Sequence, residues 1–335
     1  MSACATVVAL ALLAAGVAHA QSNAGTAIGQ FLLIDPGARH AAMGNVGVST
    51  SEGVQSVYYN PAAIGVLPRW ELTFTHAAWF AGITFDHAAT TFPLGKFGNG
   101  YASITALGSG DMDVRTVEQP LGTGEQFTVS NIALGLGYGL PLTDRVSAGV
   151  QVNLVQERIW HSTAGMVTLS LGTLYQAVGS GLRIGASLSN FGTRSHYEGR
   201  DLRIIYDYDP NRVGDNNTLP GVRFVESYPV PQLFRVGLGM PWKLGNGQQL
   251  TVGVDALHPS DNTESVNLGA EYAYRTLLAV RLGYRNLFME DAEGGLTAGA
   301  GTSGQLDTVG YKIDYAWADH GRLESTHRVT LGVTF

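Results

Sequence analysis

Cysteine is almost missing: the 335 residues contain one, Cys4, inside an apolar stretch at the start of the chain. A disulfide framework and thiol chemistry are therefore excluded for everything that follows. Charge is sparse too, at 14%, and the excess of acidic residues gives a net charge of −7. So few charges do not make a disordered chain, and their sign speaks against nucleic acid as a partner. Past the first residues no stretch approaches the roughly 18 apolar residues of a helical membrane span. The histidines never fall at a metal-ligand spacing, and no cofactor is expected.

Enzyme signatures are equally thin. Gly135-Leu136-Gly137-Tyr138-Gly139 lies in an alternating strand and opens no helix, so it is not a dinucleotide loop. Asp111-Met112-Asp113 reads as a solvated turn. His161-Ser162 and His258-Pro259-Ser260-Asp261 contain triad residue types, but adjacency in sequence says nothing of triad geometry, and a turn at a strand end explains both.

What is present is export, glycine and alternation. Val7 to Ala18 is an apolar run that ends in Ala18-His19-Ala20, which reads as a secretory signal over residues 1–20 with cleavage before Gln21, although no Lys or Arg precedes the run. The 44 glycines have no collagen period and suit crowded barrel interiors and tight bends. From Trp70 onward the chain divides into fourteen strand-length pieces: 70–80, 83–92, 98–107, 127–140, 143–158, 163–176, 180–191, 232–241, 249–258, 263–274, 276–287, 292–302, 307–319 and 325–335. The number is even, and many pieces match the roughly 9–11 residues a tilted strand needs to cross a bilayer. The later strands alternate cleanly, as in Leu250-Thr251-Val252-Gly253-Val254-Asp255-Ala256. The first three commit to neither face.

The last piece sharpens the reading. Val329, Leu331, Val333 and Phe335 would face lipid, and Arg328, Thr330, Gly332 and Thr334 the lumen. Phe335 resembles a terminal signal read by the barrel assembly machinery. With both termini periplasmic, the two longest connections, 108–126 and 192–231, fall on the exterior side, as outer-membrane barrels arrange them. Aromatics in the longer one (Tyr197, Tyr206, Tyr208, Phe224, Tyr228) point to a folded lid. Tyr272, Tyr274, Tyr284, Tyr315 and Trp317 near strand ends read as interfacial girdle residues. Residues 21–69 are not strand-like; Asn60-Pro61 starts a helix, with Asn as N-cap. The expectation is an all-β transmembrane antiparallel barrel of about fourteen strands over 70–335, with 21–69 folded inside as a plug, in contact with outer-membrane lipid.

By the alternation Arg183, Arg235, Asp255, Glu271, Arg281, Arg285, Lys312, Asp314 and Arg328 face the lumen. They form either a lining that binds an anionic head group or a ladder of ion pairs joining wall and plug, and the ladder is the simpler reading. Arg39, in the plug segment, is expected to pair with a lumen carboxylate such as Glu271 or Asp255.

The stretch Phe31-Leu32-Leu33-Ile34-Asp35-Pro36-Gly37-Ala38-Arg39, then Ala42-Met43-Gly44, then Tyr58-Tyr59-Asn60-Pro61-Ala62 resembles the N-terminal signature of the PorV/PorQ family, which sits with the FadL-like outer-membrane proteins. Ile313 to Leu323, with Thr326-His327-Arg328 and Phe335, resembles that family's end; Asn45 departs from it, replacing a frequent second Gly. The resemblance implies a fourteen-stranded barrel with an N-terminal hatch in which Arg39, Met43, Gly44, Asn60 and Pro61 belong to the plug motif. It further implies a non-enzymatic role in protein export or surface attachment, with type IX secretion components and their cargo as partners. The alternative it carries is FadL-like uptake of hydrophobic small molecules.

Overall fold

The computed structural model describes residues 24–50, 52–67, 69–209, 211, 214, 218–275, 277–289 and 292–335. The expected signal, 1–20, lies outside the described residues. Fourteen long strands follow one another: β1 (Glu71–Ala78), β2 (Thr84–Pro93), β3 (Asn99–Gly108), β4 (Val129–Pro141), β5 (Val146–Ile159), β6 (Ser162–Gln176), β7 (Arg183–Gly192), β8 (Leu233–Gly245), β9 (Gln248–Pro259), β10 (Ser265–Tyr274), β11 (Leu278–Leu287), β12 (Leu296–Leu306), β13 (Val309–Asp319) and β14 (Ser325–Thr334). Each pairs antiparallel with its sequence neighbour, and β1 pairs with β14 from Glu71↔Thr334 to Ala78↔His327, which closes the barrel. Closure leaves no strand edge unpaired, the condition for backbone to cross a bilayer as sheet. All fourteen expected strands are found, with ends moved by a few residues.

The outward face is an apolar belt. Leu72 and Phe74 on β1, Leu134 and Leu136 on β4, and Val329 and Leu331 on β14 are all exposed, Val333 is half-buried, and Phe335 is exposed. Aromatic side chains crowd both rims: Trp70, Phe97, Trp242 and Tyr274 at one, Phe191, Phe234 and Tyr284 at the other. An apolar band between aromatic girdles is the outer surface of an outer-membrane barrel, and the molecule is a bacterial outer-membrane protein. The connections 109–128 and 193–232 leave from the rim opposite Glu71 and Thr334, the rim that loop length assigns to the exterior in such barrels, hereafter the exterior rim.

The first three strands are now oriented. Thr73, Thr75 and Ala77 on β1, and Phe85, His87, Ala89 and Thr91 on β2, point inward and are buried, while His76 points outward and pairs with Asp86 at 2.7 Å. Apolar residues inside and an ion pair outside blur the alternation. The reason is packing: Ala89 and Tyr101 meet Val54, Val57, Ala63, Ile64 and Leu67 of the N-terminal segment.

That segment runs through the lumen. It starts near the exterior rim, where Ile28 N–H donates to the Pro229 carbonyl at 2.9 Å. It passes a short helix, α1 (Ala38–Ala42), and ends at the other rim just before β1. The Asn60 side chain accepts from Ala62 N–H at 3.0 Å and starts a short 3₁₀ helix over Pro61–Val66. The wall accommodates it with glycine. Gly239, Gly253, Gly269 and Gly283 are cross-strand partners in sequence on β8 to β11, and Gly139, Gly149 and Gly172 on β4 to β6. A methyl on Gly149 would overlap the Pro61 carbonyl oxygen, and one on Gly269 the Met43 carbonyl oxygen. Main chain thus lies directly on main chain, an approach only glycine permits.

The long exterior connection corrects one expectation. Tyr197 does pack inward, its hydroxyl donating to Glu157 at 2.9 Å, but Tyr206, Tyr208, Phe224 and Tyr228 are exposed on or beside the small hairpin of Arg203–Tyr206 and Leu219–Val222. The connection is folded, as the hairpin shows, but these exposed aromatics are not what it folds around.

Candidate functional site

The periplasmic half of the lumen holds a closed network of charges. Arg39, projecting from α1, donates from Nε and Nη2 to the two oxygens of Glu271 at 2.8 and 2.7 Å, a bidentate pair, and from Nη2 to Glu52 at 2.9 Å. Arg281 donates to Glu271 at 2.5 Å and to Asp314 at 2.7 Å. Lys312 stands 3.8 Å from Asp314 and Arg183 3.5 Å from Glu52. Arg39, Glu271, Arg281 and Asp314 are all buried. Charges removed from water need such mutual pairing, since one left alone is strongly destabilising.

Other side chains hold the plug by its backbone. Asp255 accepts from Gly47 N–H at 2.7 Å and Val48 N–H at 3.0 Å. Asn60 donates to the carbonyls of Val48 at 2.8 Å and Thr173 at 2.9 Å, tying two parts of the plug to β6. Gly44 N–H donates to Thr297 Oγ1 at 2.9 Å, and Met43 lies fully buried beside it. Pro61 opens the turn that rests on Gly149.

The exterior half differs. Arg235, Arg285 and Arg328 converge here, and none has a carboxylate within 4 Å among the described residues. Arg235 donates to Ser189 Oγ at 3.0 Å and lies over the rings of Tyr58 and Tyr59, at 5.2 and 5.8 Å. Arg328 lies over Trp79 at 5.8 Å. Asp35, in the plug, is the carboxylate whose charge all three feel, and it accepts instead from the Tyr59 hydroxyl at 2.8 Å. Burial lifts the Asp35 carboxyl above its ordinary range, against the opposing pull of Arg328, Tyr59, Arg235 and Arg285.

His320, just past β13, completes this rim. Its Nδ1 accepts from Arg285 Nη2 at 2.8 Å, so the neutral ring carries its proton on Nε2, which donates to Thr326 Oγ1 at 3.0 Å. Burial, then the charges of Arg285 and Arg328, push its pKa down from 6.5 to about 4. The folded state holds this histidine neutral, so its contribution to stability is complete above pH 6.5 and is lost as pH falls toward about 4. Thermal unfolding followed across that window should show stability dropping with acid, and His320→Gln should flatten the dependence. An unchanged slope in His320→Gln would assign it to other groups.

Three spaces flank the plug. On the exterior side a cavity of about 190 Å³ is lined by Asp35, Tyr59, Arg235, Asn45, Asn267 and Asn286 together with Leu33, Leu233 and Leu257. Beneath the first turn of the segment, about 50 Å³ lies between Phe31, Leu32, Phe85, Tyr101 and polar residues such as Gln151 and Asn153. On the periplasmic side about 280 Å³ opens beside Arg39, Glu52 and Lys312. The inward faces of β4 to β6 form an apolar groove of Ala133, Val155, Ala164 and Met166, with Val230 and Leu107 beside it, and the chain's own Ile28, Phe31 and Leu32 fill it.

The nine lumen charges expected from the alternation thus divide into two groups, with Asp255 between them. Asp35 and Glu52 escape sequence reasoning, although both belong to these clusters. The segment that carries them has no strand period, so nothing in it marks which side chains reach the wall. The recurring Gly-x-Gly on inward positions (137 and 139, 237 and 239, 299 and 301) is the signal that would have located the plug's track.

Over 90% of this chain and 98% of theirs, two solved structures superpose at 13% identity: the Ralstonia pickettii toluene transporter TbuX with a TM-score of 0.56, and the Pseudomonas putida toluene transporter TodX with 0.55. The fold is that of the FadL-like barrels. A Pseudomonas aeruginosa FadL homologue matches with a TM-score of 0.52 at 11% identity, over 93% of this chain and 99% of its own. No family model matches the chain, and no curated protein does. The PorV/PorQ resemblance therefore stands at the coarser level of the FadL-like fold.

Proposed function

We propose that this protein admits hydrophobic small molecules through the outer membrane, with the N-terminal segment as the movable stopper of the lumen. The observation that carries the reading is the apolar groove on β4 to β6. An inward-facing barrel wall is ordinarily polar. Here it is apolar where Ile28, Phe31 and Leu32 lie, and a solute able to displace them would find the same surface. Burying a side chain the size of Phe31 or Leu32 is worth roughly 1.5–3 kcal/mol, so an apolar solute can match what it displaces. The names of the neighbours, two toluene transporters, agree with that chemistry. Movement of the plug would pass the solute from the groove to the cavity under Phe31.

The export and surface-attachment role implied by the PorV/PorQ resemblance gains no support from the comparisons. Deletion separates the two. Growth on hydrophobic substrates should fall while the surface proteome stays unchanged; the reverse outcome would reinstate export.

A further inference from the structure

We propose that the cluster of Arg235, Arg285 and Arg328 is an anion site, and that one class of solute of this barrel is a compact organic anion, an apolar body of about one ring bearing a carboxylate. This rests on the uptake reading and specifies one class of its substrates.

The argument is one of charge. In the periplasmic half each buried arginine meets a carboxylate at hydrogen-bond distance: Arg39 with Glu271 and Glu52, Arg281 with Glu271 and Asp314. In the exterior half three arginines share Asp35, and none of them pairs with it directly. Arg328 is 6% exposed, and its Nε and that of Arg285 are buried without a hydrogen-bond partner. Arg285 Nη2 also donates to the Asp319 carbonyl at 3.1 Å, but a buried guanidinium nitrogen left without a partner is costly unless a further anion shares the site. A carboxylate accepts two parallel N–H donors from one guanidinium, which fits the unused donors.

The surroundings describe the rest of the ligand. The adjoining cavity of about 190 Å³ has Arg235, but not Arg285 or Arg328, in its lining, together with two carboxylates, Asp35 and Asp261, the latter already accepting from Gln30 Nε2 at 2.6 Å; Asn45, Asn267 and Asn286 add amides, and Leu33, Leu233, Leu257 and the Tyr59 ring an apolar face. A cavity of that size takes a small organic molecule and is far below the roughly 300–1,000 Å³ of pockets that enclose drug-sized ligands. The edges of Trp79 and Phe80 face His320 behind Arg285. Arginine and aromatic neighbours together suit an arenecarboxylate, admitted beside the neutral apolar solutes of the uptake reading.

The test is binding to the purified full-length barrel in detergent, by calorimetry, with benzoate, benzyl alcohol and inorganic phosphate as probes. Benzoate should bind saturably and at least tenfold more tightly than benzyl alcohol. Arg328→Gln and Arg235→Gln should each weaken benzoate at least tenfold, while Arg322→Gln, on an exposed loop, leaves it unchanged. Arg328→Lys, which keeps the charge, should recover part of the loss, and heat-shifted electrophoretic mobility checks that each variant is folded. Equal binding of benzoate and benzyl alcohol, or undiminished benzoate binding in the folded Arg328→Gln and Arg235→Gln variants, overturns the site. Phosphate binding as tightly as benzoate overturns the organic solute. Influx measured separately keeps the two readings apart: toluene entry without benzoate binding defeats the anion site alone, and benzoate binding without any influx defeats uptake.

Discussion

Glu271→Ala should lower the unfolding free energy of the barrel by about 3–5 kcal/mol, the range for removing one partner of a buried pair. Glu271 is shared: both its oxygens accept from Arg39 on the plug, and one accepts also from Arg281 on the neighbouring strand. Without it two side chains, each only 2% accessible, keep their charge with one carboxylate partner fewer. Glu52 and Asp314 remain, but each already serves one of these arginines and stands on its far side. Because Arg39 belongs to the plug, the loss should appear twice. The heat-shifted electrophoretic mobility should move to lower temperature, and the N-terminal segment should become open to protease in the still-folded barrel. Glu271→Gln, which keeps the shape and removes the charge, should behave in the same direction. A change below about 1 kcal/mol would place this network with exposed ion pairs, which contribute that little.

Gly283→Val should open the lumen to ions. A Cβ at 283 would overlap Gly44 N and the Met43 carbonyl carbon, and the obstacle is main chain that no rotamer change can clear. Overpacking of side chains costs typically about 1–3 kcal/mol, and a backbone obstruction falls at the upper end or beyond. The plug gives way before the wall does, because β11 is fixed by ladders on both sides while Gly44 is held by one hydrogen bond to Thr297. Planar-bilayer recordings should show raised conductance in Gly283→Val. Gly332→Val on β14 is the control: its nearest neighbours, Thr73 Cγ2 at 3.4 Å and Lys312 Cβ at 3.5 Å, are ordinary contacts, and conductance should match the wild type. Equal conductance in all three proteins would mean that the glycine row does not seat the plug.

Much of this was readable in the chain. Strand-length pieces between turn residues marked every wall strand, and period-two alternation in the later ones turned Arg235, Glu271 and Arg281 inward without any structure, because a closed wall gives each side chain only two directions. It failed on β1 to β3, where Phe85, Ala89 and Tyr101 face in to meet the apolar plug and His76 and Asp86 pair outside. A pattern rule assumes one kind of solvent on each side, and the plug breaks that assumption locally. The partners of the inward charges were less legible. Arg39 with Glu271 joins residues 232 positions apart. The chain offered Glu271 and Asp255 as partners for Arg39, and Glu271 is the one it meets; choosing between them requires the height at which α1 sits, which no local pattern encodes. Asp35 was in view as part of the Asp35-Pro36-Gly37-Ala38-Arg39 stretch. Its place among three arginines appears only when β8, β11 and β14 are brought around it.

The central claim is that an apolar solute enters through a lumen stoppered by the chain's own N-terminal segment. Initial-rate influx of labelled toluene tests it directly, in cells with and without the protein. The account predicts faster influx in cells that carry the protein, and faster still with Phe31→Ala, which empties part of the groove while the barrel remains folded. Influx that is the same with the protein, without it and with Phe31→Ala would contradict it.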